Sequence, residues 1–137
     1  MALTNPYQQY KEQSLTTLSP GELLIKLYEE VIKQLTLAKI KIKQNDLSGA
    51  NNALAKSQTI ISTLADSLDM RYPISAELRE MYIFIAQYLT QANIKKDIEM
   101  IDNCIPLVRD LRDSFEQAGK ISRTSAPAQA MAGGRAV

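Results

Sequence analysis

From Leu24 onward, apolar residues return at every third or fourth position: Leu24, Tyr28, Val31, Leu35, Ala38 and Ile42. That spacing places them on one face of a helix. The helix has a clear start. Ser19-Pro20-Gly21-Glu22 reads as a capping box with proline at the first helical position, flanked by Leu18 and Leu23 at the places of a hydrophobic staple. It ends near Gln44-Asn45. Asp46 caps a second helix with the seam Leu47, Ala50, Leu54, Ser57, Ile61, Leu64 and Leu68, fading around Asp69-Met70. Pro73 marks a turn, because proline disfavours helical geometry at Tyr72. Ser75 is the expected cap of a third helix with the seam Leu78, Tyr82, Ile85, Leu89 and Ala92. Asn93 to Lys96 makes a short turn. Asp97 starts a fourth helix whose apolar side is Ile98, Ile101, Ile105, Val108, Leu111 and Phe115. Pro106 predicts a kink near residues 102 to 106, and Gly119 a stop.

No strand-like alternation and no internal repeat of 20 to 50 residues interrupts this pattern. Similar helices with short connections pack as antiparallel neighbours, so the expected fold is an all-α, up-down-up-down four-helix bundle. The seam spacing favours shallow left-handed crossings. The expected organisation is an N-terminal arm over 1–18, the bundle over 19–118 and a tail over 119–137. The tail is rich in Ala, Ser and Gly and is expected to be disordered, since it has little apolar surface to offset its ordering entropy.

A length of 137 residues, 45% hydrophobic and 23% charged, suits one ordinary globular domain. Net charge is +1, but Lys120, Arg123 and Arg135 are the only charges after residue 118. The preceding body holds 13 basic and 15 acidic residues, which gives no dense positive field for a nucleic-acid backbone. The lone Cys104, among apolar neighbours, reads as a small buried hydrophobe in a reducing compartment. Met1 to Glu12 is polar and has no apolar core of a signal peptide, and no stretch approaches the roughly 20 apolar residues of a membrane span.

The chain contains no histidine. A ferritin-type di-iron site, a histidine-ligated haem, a histidine phosphotransfer relay and a Ser-His or Cys-His nucleophile are therefore excluded. Zinc would have to rely on one cysteine and carboxylates. The carboxylate pairs Glu29-Glu30, Glu77-Glu80 and Asp110-Asp113 lie beside Lys26, Arg79, Arg109 and Arg112, which reads as a solvated, partly ion-paired face. The expectation is a protein that is not an enzyme and takes no cofactor or metal.

What the chain has in surplus is apolar surface. Leu23, Ile25, Leu27, Ile32, Leu37 and Ile40 fall outside the first helix's stripe, and Met81, Ile83, Phe84 and Tyr88 outside the third's. Some widen the core face. Tyr82 to Ile85 span most of a turn, so part of that surface should face outward or lie under something. Two readings follow: the arm, a second copy or a wide core covers it, or a groove receives a partner helix. The arm's Tyr7 and Tyr10, three residues apart, would point one way on a helical turn and could plug such a groove.

The ordered set Asn5-Pro6-Tyr7-x-x-Tyr10, Ser19-Pro20-Gly21-Glu22-Leu23, Leu27-Tyr28, Lys56-x-Gln58-x-Ile60-Ile61-x-x-Leu64, Met81-Tyr82, Leu89 with Ala92-Asn93, Asp97 and Leu111-Arg112 resembles the FliS family of flagellar export chaperones. The resemblance spans residues 5 to about 118. The chain departs from it at Phe115, where tryptophan is expected, at Pro106, and over Lys26-Leu27-Tyr28-Glu29-Glu30. The resemblance implies a cytoplasmic four-helix chaperone of type III export. Its partner would be the C-terminal segment of flagellin, disordered in the monomer and helical in the filament. Capping that segment would block premature polymerisation and keep flagellin export-competent. A co-chaperone or export-gate component is a further candidate partner, and the free protein is expected as a monomer or weak dimer. The candidate partner-binding residues are Tyr7 and Tyr10 on the arm and Leu27, Ile60, Leu64 and Tyr82 as groove-facing positions. The rival reading is a structural helical bundle that self-associates through the same apolar surplus.

Overall fold

The computed structural model of the chain describes residues 18–121. It is all-α: α1 (Pro20–Lys43), α2 (Leu47–Asp66), α3 (Pro73–Lys95) and α4 (Ile98–Ile121). At 1.5 Å per residue these helices are about 30–36 Å long. Chain neighbours pack side by side and α4 closes the ring against α1, which is the expected four-helix bundle.

Local chemistry sets each boundary. The Ser19 hydroxyl accepts from the Glu22 amide at 3.1 Å, and the Glu22 carboxylate accepts from the Ser19 amide at 2.8 Å, so the capping box forms in full. Asp46 accepts from the Gly49 amide at 2.9 Å and caps α2. Gly49 has no side chain for a reason: an added Cβ would stand 2.5 Å from the Asp46 carboxylate. Asp97 caps α4 by accepting from the Glu99 amide at 2.9 Å and the Met100 amide at 3.3 Å.

Three boundaries differ from expectation. Ser75 is not a cap. Pro73 takes the first position of α3 with Tyr72 extended before it, and Ser75 is buried one turn in, donating to the Asp69 carbonyl at 2.6 Å. Proline prevails because its missing amide is unneeded in the first turn. Asn93 belongs to α3, and the turn shrinks to Lys96, whose left-handed backbone (φ 51°) reverses the chain within one residue. α4 runs through Gly119 to Ile121, past the expected stop. It also runs unbroken through Pro106, which lies on the exposed face where water can serve the carbonyl left open at Asp102.

The core is continuous across all four helices, from Leu24 to Phe115. Its largest side chains are Tyr28 and Tyr82, both fully buried, with ring centroids 6.5 Å apart and hydroxyls hydrogen-bonded to each other. Phe115 adds a third ring 5.9 Å from Tyr28. Burial is the main cause that raises both tyrosine pKa values above the ordinary 10.0. The α2–α3 connection is held by Arg71, whose hydrogen bonds bring the Asp69 carboxyl down to about 2.

Candidate partner-binding surface

The four seams of the bundle are closed to different degrees. α1 and α4 are joined by ion pairs, Lys39 to Asp102 at 2.5 Å and Arg112 to Glu29 at 3.5 Å. α2 and α3 are joined by a polar ladder: Gln58 donates to the Thr90 hydroxyl at 2.6 Å, and Asn93 donates to Asn51 at 2.9 Å. α1 and α2 pack most closely. α3 and α4 make the sparsest contact of the four neighbouring pairs. Across that seam Asn103 donates to the Tyr88 hydroxyl at 3.2 Å.

The loose seam opens into a cavity of about 220 Å³. Ile74, Leu78 and Met81 of α3 form one bank, Leu111, Phe115 and Ala118 of α4 the other, and Glu77 and Ser114 stand among them. The apolar strip continues up α3. Phe84 is 54% exposed and Met81 43%, and Phe84 stacks on Tyr88 with centroids 5.8 Å apart and planes 27° apart. At 100° per residue Tyr82 and Ile85 take the inward face, while Ile74, Met81 and Tyr88, seven apart, fall along one flank. α4 covers that flank only in part: Ile74 and Tyr88 are half-buried, and Met81 between them is exposed.

The expected outward surplus is therefore present, at Met81 and Phe84 on α3 and at Leu37 and Ile40 on α1. The residues chosen for the groove are not. Leu27, Ile60 and Tyr82 are 0% exposed and Leu64 is 1%, all within the core. Leu64 and Tyr82 lie on the core stripes of α2 and α3 themselves, and Leu27 and Ile60 are buried because the inward arc is wider than one stripe: α1 buries Leu27 beside Tyr28 and Gln34 beside Leu35, and α2 buries Ala53 beside Leu54 and Ile60 beside Ile61. Leu47, placed on the seam of the second helix, is instead 49% exposed. Tyr7 and Tyr10 lie outside the described residues. The groove's α4 bank was missed because Leu111 and Phe115 read as core and Ala118 as helix end. The signal available was the seven-residue step Ile74–Met81–Tyr88, a second stripe beside the core stripe.

Among the described residues, no group of three or more His, Cys, Asp or Glu side chains is placed to hold a metal ion. Burial pushes the Cys104 thiol up to about 12, so it stays protonated and unreactive at neutral pH. Glu29 is taken by Arg112, and Glu30 accepts from the buried Gln34 side-chain amide at 2.8 Å.

The family model for "Flagellar protein FliS" matches residues 3–122, which includes every described helix. The chain belongs to the FliS family. It is 38% identical over 118 residues to a flagellar secretion chaperone FliS of Bacillus subtilis, covering 86% of this chain and 89% of that protein. It is 29% identical over 116 residues to the Vibrio cholerae flagellar secretion chaperone FliS, covering 80% and 85%, and 27% identical over 109 residues to that of Salmonella typhimurium, covering 77% and 81%. FliS is a family of flagellar secretion chaperones and not of enzymes. The departures of this FliS chain from the expected pattern sit quietly in the fold. Phe115 fills the aromatic cluster with Tyr28 and walls the groove, and Pro106 faces outward. No helix among the described residues is long and apolar enough to cross a membrane.

Proposed function

We propose that this FliS chain works in the cytoplasm, where it binds the disordered C-terminal segment of flagellin, blocks its premature polymerisation and keeps it fit for export. The observation that carries the reading is the α3/α4 seam, where this member of a secretion-chaperone family leaves Met81 and Phe84 half open beside a cavity. A finished bundle gains nothing by exposing them, whereas a helical segment laid in the groove would bury them. The segment folds as it binds. Such coupled folding buries roughly 1,000–3,000 Å² and returns about 2–5 kcal/mol as ordering cost, which keeps release within reach. Tyr7 and Tyr10 of the arm are the residues proposed to shield apolar surface in the free chaperone and to give way to flagellin. A co-chaperone or export-gate component would then meet the loaded complex.

Co-expression tests this. Full-length flagellin should co-purify with the chain, and flagellin lacking its last forty or so residues (some 60 Å of helix) should not. Equal retention of both, or of neither, contradicts the proposal. A sedimentation run on the isolated chain addresses self-association: a stable tetramer that takes up no flagellin would favour the structural bundle.

A further inference from the structure

The groove carries a charge pattern that its apolar lining does not require. Glu77 stands at the α3 bank. Asp110 lies one turn before Ser114 on the same face of α4, and both carboxylates are exposed. Among the described side chains, the basic residues of the two helices are placed elsewhere. Arg79 is two residues on from Glu77, 200° around α3. Arg109 falls seven residues after Asp102, on the flank that meets α1, and Arg112 on that side is engaged by Glu29 and Asp113. Lys95 is the remaining base of α3, about 20 Å along the helix from Met81. The groove is thus apolar at its floor and acidic at its rim. Its cavity, at about 220 Å³, lies below the roughly 300–1,000 Å³ usual for small-molecule sites, a size for one or two side chains. Two helices lying alongside each other, with a trough between them, match a third helix in shape.

Resting on the flagellin reading above, we infer that the α3/α4 groove selects one piece of the bound segment: a short helix that drops a single large apolar side chain into the cavity and sets a Lys or Arg within one turn of it, against Glu77 and Asp110. The apolar anchor supplies most of the affinity, because its pocket excludes water. The rim charges supply direction and choice. They attract a basic flank and repel an acidic one, so a segment with its charges inverted is refused even when its apolar spacing is right.

Two variants of the full chain test this, Glu77→Lys/Asp110→Lys and Met81→Ala/Phe84→Ala. All four positions are exposed, and thermal melting confirms that each variant keeps its fold. The probes are a synthetic peptide of the last forty or so residues of the flagellin from the same cell, and the same peptide with every Lys and Arg replaced by Glu. Dissociation constants come from fluorescence anisotropy at low and high salt. The wild-type chain should prefer the native peptide by about 3- to 10-fold at low salt, and the preference should shrink at high salt. The charge-reversed variant should invert it. The alanine variant should bind both peptides at least about tenfold more weakly. Equal binding of the two peptides by the wild type, unchanged by charge reversal, overturns the electrostatic choice and leaves the flagellin reading standing. Full affinity in the alanine variant overturns the anchor. No binding of either peptide by the wild type overturns the flagellin reading and this inference together. A native segment with no Lys or Arg near a large apolar residue overturns the electrostatic choice before any measurement.

Discussion

Tyr82→Ala should destabilise the chain by about 3–5 kcal/mol in urea unfolding, whereas Phe84→Ala, two residues away, should change it by less than about 1 kcal/mol. The two side chains differ in environment more than in size. Tyr82 is 0% exposed, lies across from Tyr28 and shares a hydrogen bond with its hydroxyl. Removing it leaves a cavity in the middle of the bundle and strips the Tyr28 hydroxyl of that partner. Phe84 is 54% exposed and stacks on Tyr88 at the surface. Leu27→Ala and Ile60→Ala should follow Tyr82, at about 2–5 kcal/mol each, since both are fully buried. These numbers separate core from surface. A small effect for Tyr82 or a large one for Phe84 would mean that the inward and outward faces of α3 are wrongly assigned.

Alkali should unfold this bundle through three buried acids. Cys104 is pushed from its ordinary 9.0 up to about 12 by burial, and Tyr28 and Tyr82 are raised above 10.0, chiefly by burial. Each is neutral when protonated, so the fold holds protons that the unfolded chain gives up. Below pH 9 both states are protonated at all three groups and nothing is lost. As pH climbs past each unfolded value, stability falls by about 1.4 kcal/mol per pH unit per group until the folded value is reached. Cys104 acts first, over the window from 9 to about 12. Cys104→Ala removes its share. Urea midpoints should therefore fall less between pH 8 and pH 10.5 in that variant than in the wild type, by the equivalent of about 2 kcal/mol. Parallel pH profiles for the two proteins would show that the thiol ionises as freely in the fold as outside it.

The parts of this molecule that are written locally could be read locally. Ser19, Asp46 and Asp97 cap their helices through hydrogen bonds to amides two or three residues away, and the sequence places donor and acceptor within one turn. Ser75 misled because two start signals lie two residues apart, and proline fixes the backbone where serine offers one bond. The candidate site was harder for a physical reason. A stripe of apolar residues says that a helix has an inward face, but how wide that face is depends on how close the neighbour comes. Close packing of α1 on α2 buried Leu27 and Ile60. Sparse packing of α3 on α4 left Met81 and Phe84 open, although all four residues were marked as surplus or family positions in the same pattern. The sequence announced an excess of apolar surface. Its location came from distances between helices, which no single helix encodes.

Isothermal titration of the chain with the isolated C-terminal segment of flagellin decides whether that segment folds on the bundle. Binding should be saturable and one-to-one, with a negative heat-capacity change from apolar burial and a gain of helical signal as the segment folds. An N-terminal flagellin segment of equal length should give neither. Absence of heat and of added helix with the C-terminal segment, or the same response to both segments, would contradict the proposed binding.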